Sequence, residues 1–393
     1  MLPYYEFYCP VKIVAGNKAV DNLTYELEHL GAKKPLIITD QGVVGAGLLQ
    51  MVVDSFADAE ARIGSVYEDT PPDSSNQVVN AVAQIYRQNG CDSIVAVGGG
   101  SVMDTAKAVN ILVTEEVDDL LTLMGAEVLK KPLKPMVAIP TTAGTGSEVT
   151  YVAVIANPER QTKMPFTSYH LFPDVAVIDP RMTLTMPPRI TAATGMDALT
   201  HAVEAFTCLQ KNPMSDAYAW SAIELMRDNL VTAVKRGKNE KARFGMALGS
   251  LLAGIAFSNS MVGCVHALAH AVGGICHVPH GVANAIFLPF GMEYNMARVG
   301  PLYGQLLLPL AGFDVFSSTP EDRRPVRAVQ AARDLVREMN TLCGLPTNLR
   351  EAGVPKGKLE DIAEAVINDG ALTFNPEEMD YTDALKVLQA AYE

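Results

Sequence analysis

An N-terminal α/β domain on a parallel, doubly wound sheet, followed by an all-helical domain, is the fold this sequence predicts. Three observations predict it. From the N-terminus to about Asp179, short β-rich runs alternate with helical patterns, as strands and crossover helices of a parallel sheet do. One of these runs, 93–97, leads straight into Gly98-Gly99-Gly100-Ser101 and then a helical pattern. From Ile190 onward the text is nearly all helical, with long amphipathic or wholly apolar segments. Met186-Pro187-Pro188-Arg189 is a natural joint, so the expected domains are an α/β domain, 1–185, and an all-helical domain, 186–393.

In chain order, 35–39 is a compact apolar strand ending at Asp40, and 63–67 is a second strand. Residues 75–89 have helical periodicity, with Gly90 placed as a C-cap. Strands are expected at 93–97, 136–139, 149–156 and 174–178. Helices are expected at 217–235, 241–257, 325–342 and 381–392, and a weakly ordered connection at 312–324. Tyr4, Tyr5, Phe7 and Tyr8 point to an N-terminal strand available for contact with a second copy.

The net charge of −13 and pI near 5.1 argue against nucleic acid or an anionic membrane surface as partner. Six scattered cysteines form no C-x-x-C pair, which points to a reducing cytoplasm rather than a disulfide framework. No basic and apolar leader is visible at the start, and no uninterrupted apolar run of roughly 20 residues marks a membrane span.

The strand–glycine–helix junction has the parts of a phosphate-binding turn. Glycines let backbone N–H groups approach an anion, and a helix N-terminus carries roughly half a positive charge. Ser101 can cap the helix, and Asp104 stands where a capping-box acid would, so both count with the cofactor-binding residues. A second polar turn after a strand, A-I-P-T-T-A-G-T-G-S-E (138–148), could hold the rest of a dinucleotide or be a structural loop. Asp40 departs from the usual fingerprint, because the ribose-binding acid should follow the glycines by about 20 residues and here precedes them. If Asp40 meets the ribose, the strand order is unusual and NAD is favoured over NADP, since a carboxylate repels a 2′-phosphate. Otherwise Asp40 only caps the next helix.

The stretch 196–281 holds five of the seven histidines, and no Asp, Glu, Lys or Arg occurs between Arg243 and Glu293. Asp197 and His201 are four apart, as are His266 and His270, so each pair shares one helical face. His280 follows Pro279, which should start a new element. A single histidine on an apolar helix is usually a satisfied core residue. Two such pairs plus a fifth candidate are harder to bury without partners, and Asp197, His201, His266 and His280 would make one anionic and three neutral ligands. Ligand type alone does not choose among Fe(II), Zn(II) and other first-row ions.

The segments G-G-G-S-V-M-D-T-A-K (98–107), P-T-T-A-G-T-G-S-E-V-T (140–150), A-A-T-G-M-D-A-L-T-H-A-V-E (192–204), H-A-L-A-H-A-V-G-G (266–274) and P-H-G-V-A-N-A (279–285) together resemble the iron-containing (group III) alcohol dehydrogenase family. They occur in the family's order through both domains. The resemblance implies a Rossmann-like dinucleotide-binding domain (1–185) before an all-helical metal-binding one (186–393), with the site in the cleft between them. It implies Asp197, His201, His266 and His280 as ligands of Fe(II), with Zn(II) in some members, and His270 beside the nicotinamide. Asp40, Gly98, Gly99, Ser101, Thr141, Thr142, Thr145 and Lys163 match cofactor contacts, while His277 has no family role and reads as structural or as pocket wall. Val152, Val154 and Phe257 fall where the family's substrate wall is expected. Their apolar character favours simple primary alcohols and aldehydes over the diols of relatives that carry a polar side chain near Val152. The family also forms dimers and larger assemblies. The implied chemistry is hydride transfer between a carbinol carbon and nicotinamide, with His270 relaying the proton. The rivals are glycerol- or diol-oxidising and dehydroquinate-synthase-like relatives, a metal-dependent hydrolase, and a non-catalytic nucleotide sensor. A hydrolase would have no use for the glycine turn and would need a general-base carboxylate, for which Glu204 is a poor candidate.

Overall fold

The computed structural model describes residues 4–57, 59–160 and 162–393. The chain divides into two compact units. One is Cys9–Thr185; the other is Met186–Glu393 with the segment that ends at Tyr8.

In the first unit the strands are β1 (Lys12–Ala15), β2 (Pro35–Ile38), β3 (Ser65–Tyr67), β4 (Ser93–Gly98), β5 (Gly125–Ala126), β6 (Met136–Pro140), β7 (Val152–Asn157), β8 (Thr162–Thr167) and β9 (Val175–Ile178). Its helices are α1 (Leu23–His29), α2 (Gln41–Gly45), α3 (Leu48–Asp54), α4 (Asn76–Gln88) and α5 (Gly100–Glu115). Six strands form one parallel sheet in the order β1-β9-β6-β4-β2-β3.

The inner strands β2, β4, β6 and β9 are buried at every residue, which is why they read as unbroken apolar runs. Their side chains alternate between two cores. Leu36, Ile38, Ile94 and Ala96 pack with Val79, Val82 and Val109 of α4 and α5. Ile37, Val95, Val97 and Val137 pack with Leu23, Leu27 and Val52 of α1 and α3. The sheet is therefore wound on both faces. Ser75 accepts the Val78 N–H at the start of α4, and Gly90, at φ 58°, follows its end in the left-handed conformation.

The chain passes from β2 outward to β3 and then returns to the other side of β2 as β4. This reversal is the topological switch point, where ligands of open α/β sheets bind beyond the strands' carboxyl ends. Asp40 follows β2 and the glycines follow β4, so the acid strand and the glycine strand are neighbours although the acid comes first in sequence.

Three strands escape sequence reasoning. β1 is an edge of the sheet whose short apolar run, Ile13-Val14-Ala15, stays largely exposed. β5 has two residues. β8 contains Pro165, which lies outside the residues that pair with β5, so its missing N–H breaks no ladder there.

The second unit contains α6 (Pro188–Thr207), α7 (Pro213–Lys235), α8 (Glu240–Ser258), α9 (Cys264–Cys276), α10 (His280–Tyr294), α11 (Met296–Ala311), α12 (Phe313–Ser318), α13 (Arg324–Cys343), α14 (Leu359–Val366) and α15 (Tyr381–Ala390). The expected weak connection at 312–324 is instead α12 and a short turn. Ser317, Ser318 and Thr319 hydroxyls donate back to the carbonyls of Asp314 and Val315, and the Arg324 guanidinium lies 3.9 Å over the Phe316 ring. The expected N-terminal strand is also absent among the described residues. There Phe7 stacks on Tyr218 at 5.6 Å and the Tyr8 N–H donates to Asn259, so local packing holds the segment.

Ile37 of β2 is fully buried between the sheet and the helices α1 and α3, so Ile37→Ala should cost about 2–5 kcal/mol, read as a lowered urea midpoint with an unchanged slope.

Candidate functional site

Three helices of the second unit each carry a polar pair at i,i+4 spacing: Asp197 and His201 on α6, His266 and His270 on α9, His280 and Asn284 on α10. Burial of the apolar faces around them turns these pairs toward one another. One ligand atom from each of Asp197, His201, His266 and His280 lies within 4.8 Å of the others. Asp197, His201 and His266 are buried, while the His280 side chain keeps 40% of its surface exposed. Gly281 permits this approach. A Cβ there would collide with the Ala193 carbonyl of α6, so glycine lets the first turn of α10 lie against the Asp197 helix.

The second contacts set the protonation states. His266 Nδ1 lies 2.6 Å from Glu204 Oε2, and the other Glu204 oxygen accepts the Val265 N–H at 2.7 Å. Nδ1–H therefore donates, leaving the Nε2 lone pair turned into the cluster. Burial, with the neighbouring His201 and His280, holds the His266 pKa well below its usual value, so the ring is neutral. Burial alone would raise the Asp197 carboxyl, yet His201, His280, His266 and the Asn284 amide hold it below the usual range. Burial pushes Glu204 up to about 7 against the hydrogen bonds it accepts. A neutral His266 and an ionised Asp197 are the states a metal requires of these two ligands.

A second observation shows that the donors converge. Asn284 Nδ2 lies 2.6 Å from Asp197 Oδ1, 3.0 Å from His280 Nε2 and 3.3 Å from His266 Nε2. One carboxylate oxygen and two imidazole nitrogens thus gather around a single amide nitrogen, and this ligand set fits a divalent first-row ion. Asn284 Oδ1 is buried with no hydrogen-bond partner among the described residues.

His270 stands beside this set, not in it. Its ring stacks on His280 at 5.3 Å, its Nδ1 lies 2.9 Å from Asp369 Oδ2, and 46% of its side chain is exposed. Phe257, at the end of α8, stacks on His201 at 4.3 Å. His277 is the left-handed cap of α9 at φ 56°, a structural position.

In the first unit, Gly98 ends β4, and Asp40, Gly99, Ser101, Thr141, Thr142 and Thr145 follow the carboxyl ends of the adjacent strands β2, β4 and β6. Thr141 N donates to Gly98 O. Thr142 lies 3.3 Å from where a Gly99 Cβ would sit, so the second turn rests directly on the first. Asp40 caps α2, its Oδ1 accepting the Val43 N–H at 2.9 Å.

Ser101 does not cap α5, contrary to expectation. Gly99 is already extended and its carbonyl takes the Met103 N–H, so the helix begins at Gly100 with Ser101 one position inside. Ser101 Oγ instead accepts the Asp73 N–H, and Asp73 pairs with Lys163 at 2.6 Å. Asp104 forms no capping box either; its carboxylate accepts Ser147 Oγ and Val154 N. Val152 and Val154 are on β7, on the less buried face of the strand.

Sequence reasoning missed Glu204, Asn284 and Asp369 as partners of the histidines. Glu204 and Asn284 left a signal, three residues after His201 and four after His280. Asp369 left none, because it meets His270 across 99 positions.

Residues 10–180 match the family described as iron-containing alcohol dehydrogenase, and residues 191–392 match the Fe-containing alcohol dehydrogenase family, C-terminal. The chain is similar to alcohol dehydrogenase 4 of Saccharomyces cerevisiae, 36% identical over 391 residues and covering 98% of each protein. It is 32% identical to the NAD-dependent methanol dehydrogenase of Bacillus methanolicus over 98% of this chain and 99% of that protein. The crystal structure of a 1,3-propanediol oxidoreductase matches with a TM-score of 0.95 at 34% identity, covering 99% of this chain and 100% of the other.

Because Glu204 fixes the His266 tautomer, Glu204→Gln should weaken metal binding about tenfold or more, measured by titration against a competing chelator.

Proposed function

The chain belongs to the iron-containing alcohol dehydrogenase family, and from that premise we propose that it interconverts primary alcohols and aldehydes with NAD, using a divalent ion held by Asp197, His201, His266 and His280. The observation that carries this is the convergence of those four ligand atoms within 4.8 Å of one another. Fe(II) is the proposed ion and Zn(II) its rival, since imidazole and carboxylate suit both. When bound, the ion supplies Lewis acidity that lowers the pKa of an alcohol.

The chain's own residues do the rest. Glu204 orients His266, and Asn284 donates to Asp197. The glycine turn offers backbone N–H groups and the α5 N-terminus to the pyrophosphate, with Thr141, Thr142, Thr145 and Lys163 around it. Asp40 accepts from the ribose and repels a 2′-phosphate, which favours NAD. Turnover requires the nicotinamide to reach the carbinol carbon in a hydride-transfer geometry. His270, braced at Nδ1 by Asp369 and partly exposed, passes the alcohol proton to solvent. Val152, Val154 and Phe257 supply apolar wall, which favours simple primary alcohols. Likeness to a 1,3-propanediol oxidoreductase supports diols as the second reading.

We also propose a cytoplasmic homo-oligomer that uses neither nucleic acid nor membrane. All six cysteines are free, the net charge is −13, and no helix of the described residues is long and apolar enough to cross a membrane. The exposed edge strand β1 supports self-association.

His266→Ala should abolish bound metal and turnover together, by elemental analysis and NADH absorbance; activity without metal would remove the four-ligand assignment. Asp40→Gly should let NADP compete, and an unchanged NAD/NADP ratio of kcat/KM would exclude Asp40 from the ribose site. A panel of alcohols should favour ethanol and butanol over diols and glycerol; turnover of polyols alone would overturn the substrate reading.

A further inference from the structure

Lys107, nine residues into the glycine motif, is fully buried, and the chemistry proposed above makes no use of it. Its ammonium is surrounded by four neutral oxygens: Thr150 O at 2.8 Å, Thr150 Oγ1 and Val152 O at 3.0 Å, and Ser147 Oγ at 3.1 Å. Carbonyls and hydroxyls converging on one point are how a protein holds a cation, and here the cation is covalently part of α5. Asp104, one turn earlier on the same helix, takes Ser147 Oγ and Val154 N. The flank of α5 is thereby fastened to residues 147–154.

That segment continues the second turn. Ser147 N donates to Thr145 Oγ1, and Thr145 Cγ2 lies 3.0 Å from where a Gly100 Cβ would sit. A continuous chain of contacts therefore runs from Lys107 through Ser147 and Thr145 to the glycine turn.

We propose that Lys107 is an internal cation that positions the Thr141–Thr145 turn over the glycine turn, and so sets the affinity for the dinucleotide. The proposal rests on the nicotinamide-dependent reading above. Lys107 is a positioning residue: its four contacts are all with protein oxygens, and it acts through Ser147 and Thr145. Three ammonium protons serve four acceptors, so removing the group strands several buried oxygens at once. Burial lowers the Lys107 pKa to about 8, opposed by Asp104 and Glu148, so the group remains charged at neutral pH.

The test is Lys107→Ala in the metal-loaded protein, with n-propylammonium supplying the missing atoms and n-propanol as the neutral control. NADH affinity by fluorescence titration, KM for NAD, kcat, metal content and melting temperature are measured together. Lys107→Ala should raise KM for NAD and the NADH Kd about tenfold or more, with a smaller change in kcat and metal content as in the wild type. Propylammonium should recover most of that loss, and propanol none. Cofactor affinity within twofold of wild type, or a loss that propylammonium leaves untouched, would overturn the proposal. Should Lys107→Ala not fold, Thr150→Val decides: removing one acceptor should weaken NADH binding about two- to threefold, and unchanged binding overturns the proposal. Wild-type protein that fails to bind NADH would instead defeat the nicotinamide reading.

Discussion

A carboxylate removed from water is the constraint around which the helical unit is arranged. Asp197 is buried in α6, and burying a lone charge costs several kcal/mol in rough terms unless partners replace the lost hydration. The partners come from two other helices, as His266, His280 and the amide of Asn284, and from His201 one turn away. Bringing three backbones close enough for those contacts requires small residues between them, hence Gly281 against Ala193. Glu204 continues the arrangement outward: it keeps the His266 lone pair pointing inward and is itself held by the Val265 N–H. Electrostatics here dictates packing.

The α/β unit meets a different requirement with the backbone. Its candidate anion site needs no buried charge facing the ligand, because helix and turn N–H groups supply the positive potential. The sheet brings them into place by ending β2, β4 and β6 side by side. The acid of β2 and the glycines of β4 stand in the neighbour relation of a dinucleotide-binding sheet, although their sequence order is reversed. What the site requires is adjacency of strand ends, and the winding of the chain can supply that in either order. Lys107 and Asp104 do for this region what Glu204 does for the candidate metal site, holding from behind the groups that would meet the ligand.

Features governed by local periodicity were legible in the sequence. The pairs Asp197/His201 and His266/His270 share helical faces because 3.6 residues make a turn, and the inner strands read as apolar runs because both faces are covered. Features that depend on neighbours were not. β1 is a strand because β9 offers it a ladder, and α12 forms in a short stretch, Phe313–Ser318, that ends in polar residues just before Pro320. Ser101 moved inside α5 because the Gly99 carbonyl had already taken the first helical hydrogen bond.

The sequence by itself determined the motifs that carry the family resemblance, the order of the domains and the paired polar residues of α6 and α9, since each rests on residue type and short-range spacing. Tertiary structure alone decided which groups brace them. Asp369 reaches His270 across 99 residues, Glu204 reaches His266 across 62, and Lys107 reaches Thr150 across 43. A hydrogen bond acts over about 3 Å of space and carries no trace of the chain length between its partners, so only folding reveals it.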